Sequence, residues 1–207
     1  MHLPDGIVPV EMALAGYACS AGLVALALHR IKALPDPQAE IPRVAMLTTV
    51  FFAASLIAVP VPPASVHLML AGLMGVMLGW FAVPAIMVGL FLQAMLFGHG
   101  GITALGLNGV IFGLPALGAF GLWRLIGGRW PDLGALLAGS GAVLAALALF
   151  AAIVLAGLPA AIDADAERIA LQVLLIAHLP LALAEGVIVV TLLRVLRRVE
   201  PRLVPHG

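Results

Sequence analysis

From Val44 to Trp123 the chain carries no Asp, Glu, Lys or Arg, and this constrains the fold more than any motif does. So long an uncharged stretch cannot make the wet surface of a globular domain, where charged side chains belong. It has to pass back and forth through an apolar medium. Composition agrees, since 63% of the 207 residues are hydrophobic and 10% are charged, with a mean hydropathy of +1.19. The chain is therefore read as an integral membrane protein. A formal net charge of zero gives no electrostatic argument for nucleic acid or an acidic partner. Cys19 is the single cysteine, which excludes a disulfide framework and a thiolate metal cluster.

Apolar runs broken by Pro, Gly and charge predict an all-α, polytopic fold of about seven helices. They are expected over positions 11–29, 43–59, 66–82, 84–97, 103–123, 133–157 and 169–193. One membrane domain follows, with an amino-terminal loop at 1–10, a bundle at 11–198 and a tail at 199–207. The third and fourth helices are separated only by Val83 and Pro84. An odd number of crossings puts the termini on opposite sides. Nine of the ten Lys and Arg residues then share one side, Arg168 being the exception. By the positive-inside rule that side is cytoplasmic and the amino terminus is external. A prokaryotic cell membrane is the expected location, and the lipid bilayer is the first partner. No basic n-region marks a signal peptide, so the mature chain is expected to begin at Met1.

The opening Met1-His2-Leu3-Pro4-Asp5-Gly6 carries the most specific chemistry. A His second from a free amino terminus can chelate one ion through the α-amine, its own backbone nitrogen and its Nδ1, closing a five- and a six-membered ring. Nickel(II) and copper(II) suit such tetragonal nitrogen sites and can drive ionisation of the amide. One further imidazole completes a plane. The same external side holds His67 and His99, together with Asp163, Asp165 and Glu167 in a loop at 158–168. His99 lies in the turn Phe97-Gly98-His99-Gly100-Gly101. Ala71, Gly75 and Gly79 form a small-residue stripe suited to close helix packing.

Three segments in order resemble one family: Met1-His2-Leu3-Pro4-Asp5-Gly6, Ser65-Val66-His67-Leu68, and the run from Leu92-Gln93 through Gly98-His99-Gly100-Gly101 to Asn108. They are similar to the CbiM/NikM family, the substrate-specific membrane (S) components of energy-coupling-factor transporters for cobalt and nickel. The resemblance implies a seven-helix protein whose amino-terminal loop plugs inward from outside. It implies one divalent ion bound by the Met1 amine, the His2 amide and imidazole, and the His67 imidazole. The Pro-Asp of the opening motif is the form seen more often in nickel-type members. The run Ile111-Phe112-Gly113-Leu114-Pro115 departs from the family in lacking small polar residues.

Around those ligands, Gln93, His99, Thr103 and Asn108 are candidates for holding the imidazoles and anchoring the loop, because a ligating ring needs its other nitrogen fixed. His99 could instead ligate directly. Asp5 either neutralises the cation or starts a turn with Gly6, the turn being preferred. His178 and Glu185 share a face of the last helix, as an ion path or, preferably, a buried packing pair. No phosphate-binding loop occurs and the only lysine, Lys32, follows an isoleucine, so ATP hydrolysis falls to another protein. The family implies a transmembrane coupling (T) subunit, cytoplasmic ATPases and a small auxiliary membrane subunit. Ala18, Ala21, Gly22 and Ala25 offer a small-residue face for docking or for internal packing. No cofactor and no enzymatic activity are expected, the metal being cargo. Two rival readings are an intramembrane serine protease using Ser140 and His178, and a copper transporter using Met69, Met74 and Met77.

Overall fold

The computed structural model describes residues 2–61, 64–157 and 164–205. Seven helices follow one another in these segments: α1 (Val10–Lys32), α2 (Ile41–Ser55), α3 (Ala71–Leu78), α4 (Ala82–Phe97), α5 (Leu105–Ile126), α6 (Pro131–Gly157) and α7 (Ala164–Val199). Five segments among the described residues are long and apolar enough to cross a membrane: α1, Ala71–Phe97 taken together, α5, α6 and Gln172–Val199. With 15 residues, α2 falls short, and the 8 residues of α3 rise only about 12 Å.

The fold is not purely helical. Where the sequence predicts helix at 43–59 and from 66 onward, the chain forms an antiparallel hairpin of β1 (Ala58–Val61) and β2 (Ala64–His67), with Ala58 opposite His67. The prolines explain the departure. Pro60 cannot donate within a helix or to a central strand, but a two-stranded ribbon has free edges that accept it. His67 therefore ends a strand and does not begin a helix. The break between the third and fourth helices also moves, from Val83-Pro84 to a 3-10 turn at Gly79–Phe81. Gly79 takes φ +56°, which stops α3. Pro84 then falls in the first turn of α4, where no backbone donor is needed.

The centre is α5, packed against α1, α3, α4 and α6. Every residue of α3 is buried. Its small-residue stripe lets backbones touch, because a Cβ on Gly75 would lie 2.0 Å from the Ala116 carbonyl oxygen. By contrast only 22% of the α1 window is buried. At the end away from His2, His67 and His99, Arg30 lies over the Trp80 ring, and Arg194 pairs with Asp132 at 2.7 Å. The tail folds back there. Leu203 accepts a hydrogen bond from Arg43 at 3.1 Å, and Pro205 accepts one from Trp123 at 3.3 Å. At the other end of α7, helix begins at Ala164, so Asp165 and Glu167 belong to it and not to a loop. Asp163 lies outside the described residues.

Candidate metal centre

His67, at the end of β2, is 2% exposed. Its Nδ1 lies 3.1 Å from the Leu68 carbonyl oxygen, which can only accept, so Nδ1 carries the proton and Nε2 keeps its lone pair. That lone pair faces His2 Nδ1 at 3.1 Å. The proton of this contact therefore sits on His2 Nδ1. Two nitrogens bound at right angles to one ion at about 2.0 Å would be roughly 2.8 Å apart, so the two atoms are close to a shared coordination geometry. His99 completes the cluster, its ring centre 4.4 Å from that of His2 and 5.4 Å from that of His67. Candidate ligand atoms of the three rings all lie within 4.8 Å of one another. The Phe112 ring closes the inner side at 4.9 Å from His2.

The loop carrying His2 is held by side chains from the start of α5 and the turn before it. Asn108 receives the Leu3 amide at 2.9 Å and donates to the Leu3 carbonyl at 3.0 Å. This is a two-point clamp of the kind a strand partner makes. Leu3 itself is fully buried, which stabilises the docked loop by about 2 kcal/mol relative to an exposed Leu. Asp5 starts a turn with Gly6, and its carboxylate also accepts from the Thr103 amide at 2.8 Å, the Thr103 hydroxyl at 2.5 Å and the Ala104 amide at 3.3 Å. Room for it exists because position 101 is Gly: φ is +119°, and a Cβ would lie 2.2 Å from Asp5 Oδ1.

Burial sets the protonation of the cluster. It holds the His2 imidazole well below its ordinary pKa, with the positive amino terminus and the other two rings adding to the effect. His67 is pushed down to about 3, again mainly by burial, and His99 is lowered for the same reason. Three neutral imidazoles thus face one another at neutral pH. Asp5 is shifted the other way in function: its pKa is lowered chiefly by the Thr103 hydroxyl, so it stays ionised. The Gln93 side chain interacts with the His2 ring. Even so, His2 Nε2 and Gln93 Oε1 are both buried and without a hydrogen-bond partner. The Gln93 amide nitrogen is committed to Ser55 Oγ and the Phe52 carbonyl at 3.3 Å.

The structure thus brings His2, His67, His99, Gln93 and Asn108 to one place and ties Asp5 to Thr103. Met1 lies outside the described residues. His178 is not part of the cluster; it is buried, with Nδ1 2.8 Å from the Leu174 carbonyl oxygen. Glu185 is buried too, and accepts the backbone amides of Met69 and Leu70. Ser140 Oγ and His178 Nε2 each lack a hydrogen-bond partner, so they form no nucleophile–base pair. Met69, Met74 and Met77 are core residues. Ala18, Ala21, Gly22 and Ala25 are exposed, and nothing lies within 4 Å of a Cβ built on Gly22. Internal packing of α1 uses Gly16, Ser20, Ala27 and Ile31 instead. Sequence reasoning missed Leu3, Phe112, Ser55 and the partners of Glu185. Leu3 alone had a signal, being an apolar residue inside a polar loop motif.

A family model described as the cobalt uptake substrate-specific transmembrane region, CbiM, matches residues 2–203. The chain belongs to the CbiM family. Among CbiM-family relatives, cobalt transport protein CbiM 2 of Pelobacter propionicus is 31% identical over 96% of this chain and 91% of its own length. A putative metal transport protein of Haemophilus influenzae is 36% identical, but over 60% of this chain and 58% of that protein. The chain thus spans little more than half the length of that relative. A crystal structure of a transition metal transporter aligns with a TM-score of 0.84 at 25% identity, covering 97% of this chain and 94% of the other.

Proposed function

We propose that this CbiM-family chain is the substrate-specific subunit of an ATP-driven, energy-coupling-factor uptake transporter, and that it captures a divalent transition metal ion from outside the cell. The observation that carries this reading is the facing pair of His2 Nδ1 and His67 Nε2, 3.1 Å apart in a partly buried cluster of neutral imidazoles. The Met1 amine and the His2 amide nitrogen supply the other two ligands. Nickel fits a four-nitrogen plane better than cobalt does, and the Pro-Asp of the opening motif agrees. His99 stands beside the plane.

Binding switches the His2 tautomer. When the ion takes Nδ1, the ring holds its single proton on Nε2, where Gln93 Oε1 is available to accept it. Both orphaned atoms are then satisfied. The Asn108 clamp and the Asp5 tie keep the chelating loop seated, and their release is how the loop would open. An odd number of crossings with the loop outside and the basic end in the cytoplasm is the topology this reading takes. A cytoplasm-specific reporter fused after Arg202 should therefore be active, and activity only from the external side would reverse the topology. A coupling subunit docks on the exposed Ala18, Ala21, Gly22 and Ala25 face, and partner ATPases supply the energy.

The test is the amino terminus itself. Acetylation makes the α-amine an amide with no lone pair for the metal, leaving every side chain intact. Nickel titration of purified protein should show high-affinity binding with the native start and none after acetylation. Unchanged affinity in the acetylated form would remove the chelate and leave a side-chain site only.

A further inference from the structure

The Glu185 carboxylate lies on α7, far along the chain from His67, yet it accepts the amides of Met69 and Leu70, immediately after His67-Leu68. Leu70 stands at φ +50° and ψ 12°, a left-handed conformation that is rare for a non-glycine residue with a branched side chain. Such a conformation persists only where its surroundings over-determine it. The two amides held by one buried carboxylate supply that constraint, and they turn the chain from β2 into α3. The elbow has a consequence for the metal ligand. Leu68, whose carbonyl fixes the His67 tautomer, lies between the ring and the stapled amides.

The frame behind the carboxylate is rigid. A Cβ on Gly139 of α6 would lie 2.7 Å from Gly186 Cα of α7, and one on Gly72 of α3 would lie 2.6 Å from the Ala138 carbonyl oxygen of α6. Three backbones therefore meet beside Glu185 without intervening side chains. We propose that Glu185 is a positioning residue for the metal site, fixing the aim of His67 Nε2 through the Leu68–Leu70 elbow and touching no metal itself. The inference rests on the reading of His67 as a ligand.

A neutral Gln at 185 offers one oxygen to an elbow that presents two donors, and its amide group opposes the second. The experiment is a nickel titration of four full-length proteins: wild type, Glu185→Gln, His67→Ala and the double variant, with absorption spectra of each loaded form. In the native background Glu185→Gln should weaken nickel binding by about 10- to 100-fold, the range for residues that orient ligands. Its ligand-field band should move toward that of His67→Ala. In the His67→Ala background the same change should cost less than about threefold, because coupled residues are non-additive. Equal losses in both backgrounds, or no loss in folded Glu185→Gln, would overturn the proposal while leaving the site standing. If His67→Ala binds nickel like wild type, the reading of the site falls and the inference with it. Should Glu185→Gln not fold, Glu185→Asp keeps the charge but draws the elbow one methylene toward α7, and the same cycle decides.

Discussion

The two imidazoles that face each other at 3.1 Å are carried by arms of opposite construction. His2 rides on a terminal loop tied at its exposed rim by Asp5 to Thr103 and, deeper, by Leu3 to Asn108. His67 ends a hairpin strand whose continuation is stapled to α7 deep in the bundle. The difference teaches which arm moves. Asp5 and Thr103 are exposed and within reach of water, so their hydrogen bonds exchange at little cost. The amides held by Glu185 are buried and would be left without partners, a heavier penalty. On the proposed reading the exposed rim of the His2 arm is the part that opens first, and the His67 arm is the fixed wall against which the loop closes.

The sharpest break of this comparison is removal of the wall. His67→Ala deletes a proposed ligand and should weaken nickel binding by more than about 100-fold, beyond the usual cost of an outer partner. His178→Ala, also buried but outside the cluster, should leave affinity within about threefold and act on stability. Isothermal titration of both variants separates them. The opposite ranking would move the site toward the membrane centre.

Next comes the inner tie of the movable arm. Asn108→Ala removes both hydrogen bonds to Leu3 and leaves two buried backbone groups unpaired. With about 1 to 2 kcal/mol at stake, affinity should fall roughly tenfold, chiefly through a faster off-rate as the loop opens more often. Stopped-flow release of nickel to a chelator measures it. An unchanged off-rate would mean that the loop is held by something other than this clamp.

How much of this was legible beforehand follows the same division. The proposed chelate could be drawn from sequence because it uses consecutive backbone and side-chain atoms, a local matter of sequence order; the structure adds that its His2 ring meets His67. The Gly-His-Gly-Gly turn was equally readable, since Gly98, Gly100 and Gly101 all take positive φ. The His67 arm was not. Pro60, Pro62 and Pro63 announced an interruption, but helical periodicity resumed at 66–82, and nothing local distinguished a strand followed by an elbow from a helix start. Glu185 stood out as an ionisable residue in an apolar helix, yet its partners are backbone amides more than a hundred positions away, and backbone amides leave no trace in a side-chain pattern. Small-residue stripes were visible as such, but only packing sorted Gly75, in contact with α5, from Gly22, which faces outward.

Acid should unsettle the fixed arm before it breaks the loop's rim. A His held neutral by burial binds fewer protons when folded than when unfolded, so stability falls as pH drops below the ordinary value near 6.5 and continues to fall until the folded pKa is reached. For His67, pushed down to about 3, the loss between pH 7 and pH 5 is about 2 kcal/mol. Thermal melts of the metal-free protein should show that decline, and His67→Gln should make it shallower, the remainder coming from His2 and His99, which burial also holds low. A wild-type melting temperature constant over this window would mean that the ring is not buried neutral.

The smallest effect is expected at Asp5, and it distinguishes a tie from a counter-charge. Its carboxylate accepts from Thr103 and Ala104 at the start of α5, where a negative charge also complements the helix dipole. Asn keeps an acceptor oxygen in the same place and loses only the charge. If the carboxylate serves as a tie, Asp5→Asn should weaken nickel binding by no more than about threefold, the size of a modest hydrogen-bond change. Asp5→Ala, which removes the acceptor, should cost more. The two roles respond differently to salt, because a charge acting on the cation through the exposed rim is screened, whereas a lost acceptor is not. Titrations of both variants at low and high ionic strength supply the comparison. An Asn variant as weak as the Ala variant, recovering toward wild type as salt erases the advantage of the charge, would make Asp5 the partner of the metal and not of the loop.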